Sequence, residues 1–138
     1  MNWTDDAFVL SSKRYGESAL ILSLLTKKRG KHSGFLRSIN KKNMRSIIQP
    51  GNLVRVNWRS RIEESLGTYN LELIESSSSN FLYHPINLLT LSSICSICNE
   101  TLPEREAFPT IYNDVYNLFT LFSNYKEVLI SKYIFFEL

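Results

Sequence analysis

Groups that carry bond chemistry are scarce in this chain. Two His and two Cys stand among 138 residues. Neither His32 nor His84 falls in a Ser/His/acid or Cys/His spacing that would activate a nucleophile. The sequence also lacks a P-loop, a glycine-rich phosphate cradle and an acidic metal cluster. These absences predict a protein that works by binding, with no enzymatic activity and no cofactor. His32 lies in a candidate strand and His84 precedes Pro85 near a helix start; both read as structural or solvated. Cys95-Ser-Ile-Cys98 has the spacing of half a zinc site. No second Cys/His pair follows it, and both thiols fall on a helical apolar stripe, so buried thiols without metal are expected. The acid pairs Asp5/Asp6, Glu63/Glu64 and Glu104/Glu106 read as exposed carboxylates.

No apolar run approaches the ~20 residues of a membrane span. Met1 is followed by Asn-Trp-Thr-Asp-Asp, which is acidic where a secretory signal is positive. The expected setting is therefore a reducing cytoplasm, with the sequons at Asn2 and Asn99 as chance matches. The most informative absence is of negative charge: Ser18 to Ile62 contains no Asp or Glu. Residues 1–75 hold 13 Lys and Arg against 7 Asp and Glu, a net of +6. Residues 76–138 hold 3 against 6, a net of −3, which together give the +3 of the chain. Such asymmetry points to an anionic polymer or surface as the partner of the first half.

What is present in that half has the period of strands. Asn52–Arg59 alternates, with Val54, Val56 and Trp58 on one face and Arg55, Asn57 and Arg59 on the other. Thr68–Leu73 does the same, while Ala19–Thr26 is apolar on both faces and predicts a central strand. Ala7–Arg14 and Lys31–Ser38 complete five. Turn signals separate them at Tyr15-Gly16, Arg29-Gly30, Pro50-Gly51 and Gly67. A short helix over Lys41–Gln49 follows the third strand. Five short strands with a helix after the third suggest an oligonucleotide/oligosaccharide-binding barrel, the OB-fold. After the serine tract Ser76–Asn80 the period becomes helical. One helix runs from Pro85 to Leu102 with Ile86, Leu89, Ile94, Cys95 and Cys98 as its stripe. A second covers Thr110–Phe122 with Ile111, Val115, Leu118 and Phe122, and a third begins near Lys126. The expected class is α+β: a barrel over residues 1–79, then an incomplete helical domain over 80–138. The apolar ending Tyr133–Leu138 reads as a helical domain interrupted partway, the alternative being a last helix packed back on the other two.

On that barrel the cations converge. Lys13 and Arg14 are expected in the loop between strands one and two, and Arg59 and Arg61 in the loop between strands four and five. Lys31, Ser33, Phe35 and Arg37 share one face of strand three, a ring between cations. Such a pair joins base stacking, ~1–3 kcal/mol per base, to phosphate neutralisation. Lys27, Lys28 and Arg29, then Lys41, Lys42 and Arg45, extend the track, with Arg55 alongside. The competing reading is a solvated basic surface with Phe35 in the core.

Three segments, Phe8–Ser38, Gln49–Leu73 and Leu102–Tyr112, resemble the RecO family of bacterial recombination mediators. Tyr15-Gly16-Glu17, Leu25-Thr26, Arg29-Gly30, Gln49-Pro50-Gly51 and Leu66-Gly67-Thr68-Tyr69 carry the likeness in order and spacing. The resemblance implies an N-terminal OB-fold followed by helices, and a cytoplasmic, nucleoid-associated protein. It implies binding of single- and double-stranded DNA, annealing of complementary strands, and loading of recombinase onto strands covered by single-strand-binding protein. A RecR-type partner is also implied. By position, the family's basic surface falls on Lys27, Lys28, Arg29, Lys31, Arg37, Lys41, Lys42 and Arg45, with Arg55, Arg59 and Arg61 beside it. Family members usually continue past the equivalent of Leu138, where many hold a four-ligand zinc site; zinc is therefore not implied here. Open rivals are an RNA-binding OB module, a protein-interaction module that docks acidic tails, and a decayed gene product.

Overall fold

Ala7-Phe8-Val9-Leu10 is apolar on both faces of a strand, and the fold uses both. In the computed structural model, which describes residues 2–37, 44–62, 65–76, 85–107 and 109–122, these four residues are all buried. The elements are β1 (Asn2–Tyr15), β2 (Ala19–Thr26), β3 (Gly30–Leu36), α1 (Met44–Ile47), β4 (Leu53–Arg59), β5 (Thr68–Glu75), α2 (Pro85–Thr101) and α3 (Pro109–Phe122). The strands close into a barrel in the order β1-β2-β3-β5-β4. Every neighbouring pair is antiparallel except β3 and β5, which meet in parallel at one position, Phe35 with Thr68. This five-stranded arrangement, with a helix after the third strand, is the OB-fold.

Ala7 and Val9 point into the barrel with Leu22, Leu24, Leu36, Val54, Val56, Trp58 and Tyr69; Met44 and Ile48 join them. Phe8 and Leu10 point outward with Leu25 and Leu53. There they pack against Leu91, Ile94, Cys95 and Cys98 of α2 and Tyr112, Val115, Leu118 and Phe119 of α3. The double-faced apolar character of Ala19–Thr26 has the same origin: Leu24 faces in and Leu25 faces the helices.

Several expectations shift in detail. β1 begins at Asn2 and β5 runs to Glu75, both longer than the alternation predicts. Lys13 and Arg14 therefore stay on β1, opposite Ile21 and Leu20, and Arg59 stays on β4. Barrel closure supplies ladder partners that extend these strands past their alternating cores. The α2 stripe is Leu91, Ile94, Cys95 and Cys98, whereas Leu89 is 69% exposed. Along a helix Leu91 falls in phase with Ile94, Cys95 and Cys98, and Leu89 does not. On α3, Tyr112 and Phe119 join Val115 and Leu118. Ser38–Asn43, including Lys41 and Lys42, lies outside the described residues, as do His84 and the expected third helix.

The loop between α2 and α3 returns to the barrel beside the short β3–β5 seam. Glu104 forms a parallel bridge with Lys31 of β3, and the Arg105 amide donates to the Lys31 carbonyl at 2.6 Å. A Cβ on Gly30 would sit 1.9 Å from the Glu106 carbonyl oxygen, and Gly30 has φ +70°. Only glycine fits that approach. Gly30→Ala is expected to dislodge the loop and lower stability by about 1–3 kcal/mol in urea titration; an unchanged midpoint would refute the seating of the loop. No helix among the described residues is long and apolar enough to cross a membrane.

Candidate nucleic-acid interface

One row of neighbouring positions crosses all five strands. Asn2 stands opposite Arg59, Arg59 opposite Thr68, Thr68 beside Phe35, Phe35 opposite Ile21 and Ile21 opposite Lys13. Cross-strand partners share a face, and none of these six side chains is buried, so this is the outer face. Tyr15 packs its ring 5.1 Å from that of Phe35, and the Arg37 guanidinium lies 5.8 Å from the Phe35 centroid. Tyr15 is 58% exposed. The two rings are tilted by 54°, and a partly exposed aromatic pair with Lys13 and Arg37 on the same face suits stacked bases and their phosphates.

Two steps along the strands the row is uncharged, Thr4, Asn57 and Asn70. Two further steps bring Asp6, Arg55 and Glu72 together. Arg55 Nε lies 3.3 Å from Asp6 Oδ1. Positive charge thus gathers at the Arg59 end, and Arg55 belongs to an acidic neighbourhood. Between these rows runs a groove of about 460 Å³ whose lining includes Arg37, Asn57, Arg59, Thr68 and Asn70. It adjoins a second pocket, of about 360 Å³, which shares Asn2, Trp3 and Trp58 and adds Lys28, Arg29, His32 and Arg105. Among the described residues no carboxylate lines either one.

The β2–β3 turn is held by an acid from β1. Asp5 is only 7% exposed; its Oδ1 accepts the Asp6 amide and its Oδ2 the Lys28 amide, each at 2.8 Å. Thr26 Oγ1 accepts the Arg29 amide at 3.0 Å and donates to the Gly30 carbonyl at 2.7 Å. The reading of Asp5 as an exposed carboxylate is corrected: burial is affordable because backbone N–H groups satisfy it. Arg29 places its guanidinium 4.4 Å from the Trp3 ring, while Lys27 and Lys28 project from the turn, exposed.

Lys31 and Ser33 are drawn the other way. Lys31 Nζ donates to the Asn99 carbonyl at 2.6 Å and sits 4.0 Å from Glu104 Oε1. Ser33 Oγ donates to the same carboxylate oxygen at 2.6 Å. Of the alternating set on strand three, Phe35 and Arg37 face the groove side and the other two bind the helical segment. Arg45 is exposed on α1, and Arg61 is exposed just beyond β4.

Beneath the pocket lies an aromatic floor that the composition does not reveal. Trp3 and Trp58 stack at 5.7 Å with an interplanar angle of 22°, and His32 meets both edge-on. Trp58 Nε1 donates to the Leu66 carbonyl at 2.9 Å, which Gly67 permits: a Cβ there would lie 2.3 Å from Nε1. His32 Nδ1 shares a 2.6 Å hydrogen bond with the Tyr69 hydroxyl. Burial first, then the nearby charges of Arg105 and Arg29, lowers the His32 pKa from 6.5 to about 4. His32 is thus neutral in the folded state and takes up a proton on unfolding anywhere between these values. Stability is complete above about pH 6.5 and falls as pH drops toward 4, by roughly 3 kcal/mol from this group. His32→Asn should flatten that part of the urea-midpoint pH profile; an unchanged slope would place the acid sensitivity elsewhere.

Cys95 and Cys98 are buried free thiols. Burial pushes them up to about 12 and about 11, too high to supply thiolate at neutral pH. Among the described residues no group of three His, Cys, Asp or Glu is placed to hold a metal ion. Trp3, Tyr15 and Arg105 were not predicted as site residues. Arg105 reaches the barrel from a loop more than forty positions beyond the nearest pocket residue on the barrel, Trp58, and no local pattern marks it.

Comparison with known proteins agrees with this architecture. The family model described as recombination protein O, N terminal, matches residues 1–77, a span that contains the whole barrel. The chain is 40% identical over 119 residues to the DNA repair protein RecO of Rhodospirillum centenum, covering 86% of this chain and 48% of that protein. It is 39% identical over 123 residues to the RecO of Gluconacetobacter diazotrophicus, with 89% and 48% covered. It is 32% identical over 131 residues to the RecO of Bartonella tribocorum, with 95% and 51% covered. The chain spans about half the length of the curated relatives it matches. With an OB-fold of matching extent and relatives across nearly its whole length, the chain belongs to the RecO family.

Proposed function

We propose that this chain acts in DNA repair as a non-enzymatic DNA-binding protein. It engages single- and double-stranded DNA, promotes annealing of complementary strands and supports recombinase loading onto strands covered by single-strand-binding protein, together with a RecR-type partner. Most of the contacts fall on the barrel domain, residues 1–79, and Arg105 of the α2–α3 loop adds one from the domain that follows. The observation that carries this reading is the outer row through Arg59, Phe35 and Lys13, with its aromatic pair, Arg37 and a groove free of carboxylates among the described residues. Annealing requires no bond to be made or broken. It requires that two polyanions approach, and a cationic face that holds both lowers their repulsion.

Fluorescence anisotropy with labelled oligonucleotides of unrelated sequence tests this. Arg37→Glu/Arg59→Glu should weaken binding at least ~10-fold on every sequence alike, because phosphate contacts carry no sequence information. Phe35→Ala should weaken single-strand binding by roughly 5–100-fold, the range of one lost base stack, and affect duplex less. Equal loss on both substrates would make the ring a packing residue. If matched RNA competes better than DNA, the RNA-binding alternative takes its place.

A further inference from the structure

The pocket lined by Lys28, Arg29 and Arg105 is assembled from two distant parts of the chain. Lys28 and Arg29 come from the β2–β3 turn, which Asp5 holds through the Lys28 amide. Arg105 comes from the α2–α3 loop and adopts φ 59°, the left-handed conformation uncommon for a residue with a side chain. Its backbone is pinned to Lys31, its Nη2 donates to the Ser65 carbonyl at 2.6 Å, and its guanidinium lies 5.7 Å from the Trp58 ring. Arg29 lies over Trp3 in the same manner. Glu104 accepts from Ser33 and lies near Lys31, and both Asp5 oxygens accept backbone amides. Two guanidiniums thus lie over two indoles, and Lys28 lines the same pocket, with no carboxylate among the described lining. That combination of fixed guanidiniums and rings matches a phosphate with an attached base.

We infer that this pocket is a discrete phosphate site for the end of a DNA strand, gripping a 5′-terminal nucleotide between Arg29, Arg105 and Lys28. It rests on the DNA-binding reading but is separable from it. The pocket adjoins the groove through Asn2, Trp3 and Trp58, so a strand along the groove delivers its terminus there. A 5′-terminal phosphate monoester carries nearly twice the charge of an internal phosphodiester, and three cations favour it accordingly. The loop that brings Arg105 makes the site a joint product of barrel and helices.

The chain has two tryptophans, Trp3 and Trp58, and both line this pocket and the adjoining groove, so intrinsic fluorescence of the full chain reports a ligand in either, and the arginine variants tell the two apart. Titration with 5′-phosphorylated dithymidine should quench it, with unphosphorylated dithymidine at least ~10-fold weaker and inorganic phosphate weaker still. Arg29→Gln and Arg105→Gln should each cost the phosphorylated ligand ~10-fold or more and leave the unphosphorylated one little changed. Arg37→Gln, at the far end of the groove, should weaken long oligonucleotides but not the dinucleotide. Circular dichroism verifies that each variant is folded, and Arg29→Lys is a milder version should Arg29→Gln not fold. Equal affinity with and without the 5′-phosphate would overturn the proposal, as would indifference to both arginines. Inorganic phosphate binding as tightly as the dinucleotide would overturn the strand-end assignment. Long oligonucleotides that bind while the dinucleotides do not would sink the pocket and spare the DNA-binding reading; the reverse pattern would sink that reading and spare the pocket.

Discussion

Phe8→Ala is expected to lower stability by about 3–5 kcal/mol, among the largest single losses available to this chain. Phe8 is 2% exposed and stands outside the barrel wall, where it meets Phe119 edge-on at 5.1 Å and Tyr112 at 5.2 Å. It is the ring through which β1 grips α2 and α3. Its removal leaves a cavity between two layers that cannot collapse without moving a helix. Urea denaturation followed by far-ultraviolet circular dichroism would measure the loss. Phe35→Ala supplies the contrast: that ring is only half-buried on the outer face, so its stability cost should stay near 1 kcal/mol or below. Equal costs at both positions would show that the helices are not seated on β1.

Raising monovalent salt from about 50 to about 200 mM should weaken single-strand binding by roughly 300-fold. The estimate assumes about six neutralised phosphates, one for each of Lys13, Lys28, Arg29, Arg37, Arg59 and Arg105, at a slope near −0.7 per contact. Arg59→Gln should flatten the logarithmic slope by about 0.7. Arg55→Gln should leave it unchanged, since Asp6 at 3.3 Å already balances that charge and Glu72 stands on its other side. The two arginines alternate on one face of the same strand, which makes the comparison strict. If both substitutions flatten the slope equally, the charge map of the barrel is wrong.

The acid-free interval from Ser18 to Ile62 poses the problem of like-charge repulsion, and the fold answers it in two ways. Part of the charge is met within the chain: Asp6 approaches Arg55 from β1, and Glu104 approaches Lys31 from the α2–α3 loop. Another part, on Arg37, Arg59, Lys28 and Arg29, lines grooves where no carboxylate is found among the described lining. An anionic ligand seated there would relieve their mutual repulsion. Arg29 and Arg105 also lie over indoles, which helps to hold them in place.

Period-two alternation placed β4 and β5, where one face is buried, and apolar segments between glycine turn signals placed β1, β2 and β3. Phe35 and Arg37 were legible as a ring beside a cation on one face. Trp3 was not, because it lies at the start of a strand whose apolar core begins at Ala7. Glycine at position 30 marked a turn, but not the carbonyl packed against it.

Local periodicity and composition suffice for the barrel strands, the two described helices after them and the excess of positive charge on the first half. Which cations remain available and which are paired was decided only by tertiary structure. Coulomb pairing acts through space, and Glu104 and Arg105 are brought to β3 by a loop that the barrel's strand pattern does not encode.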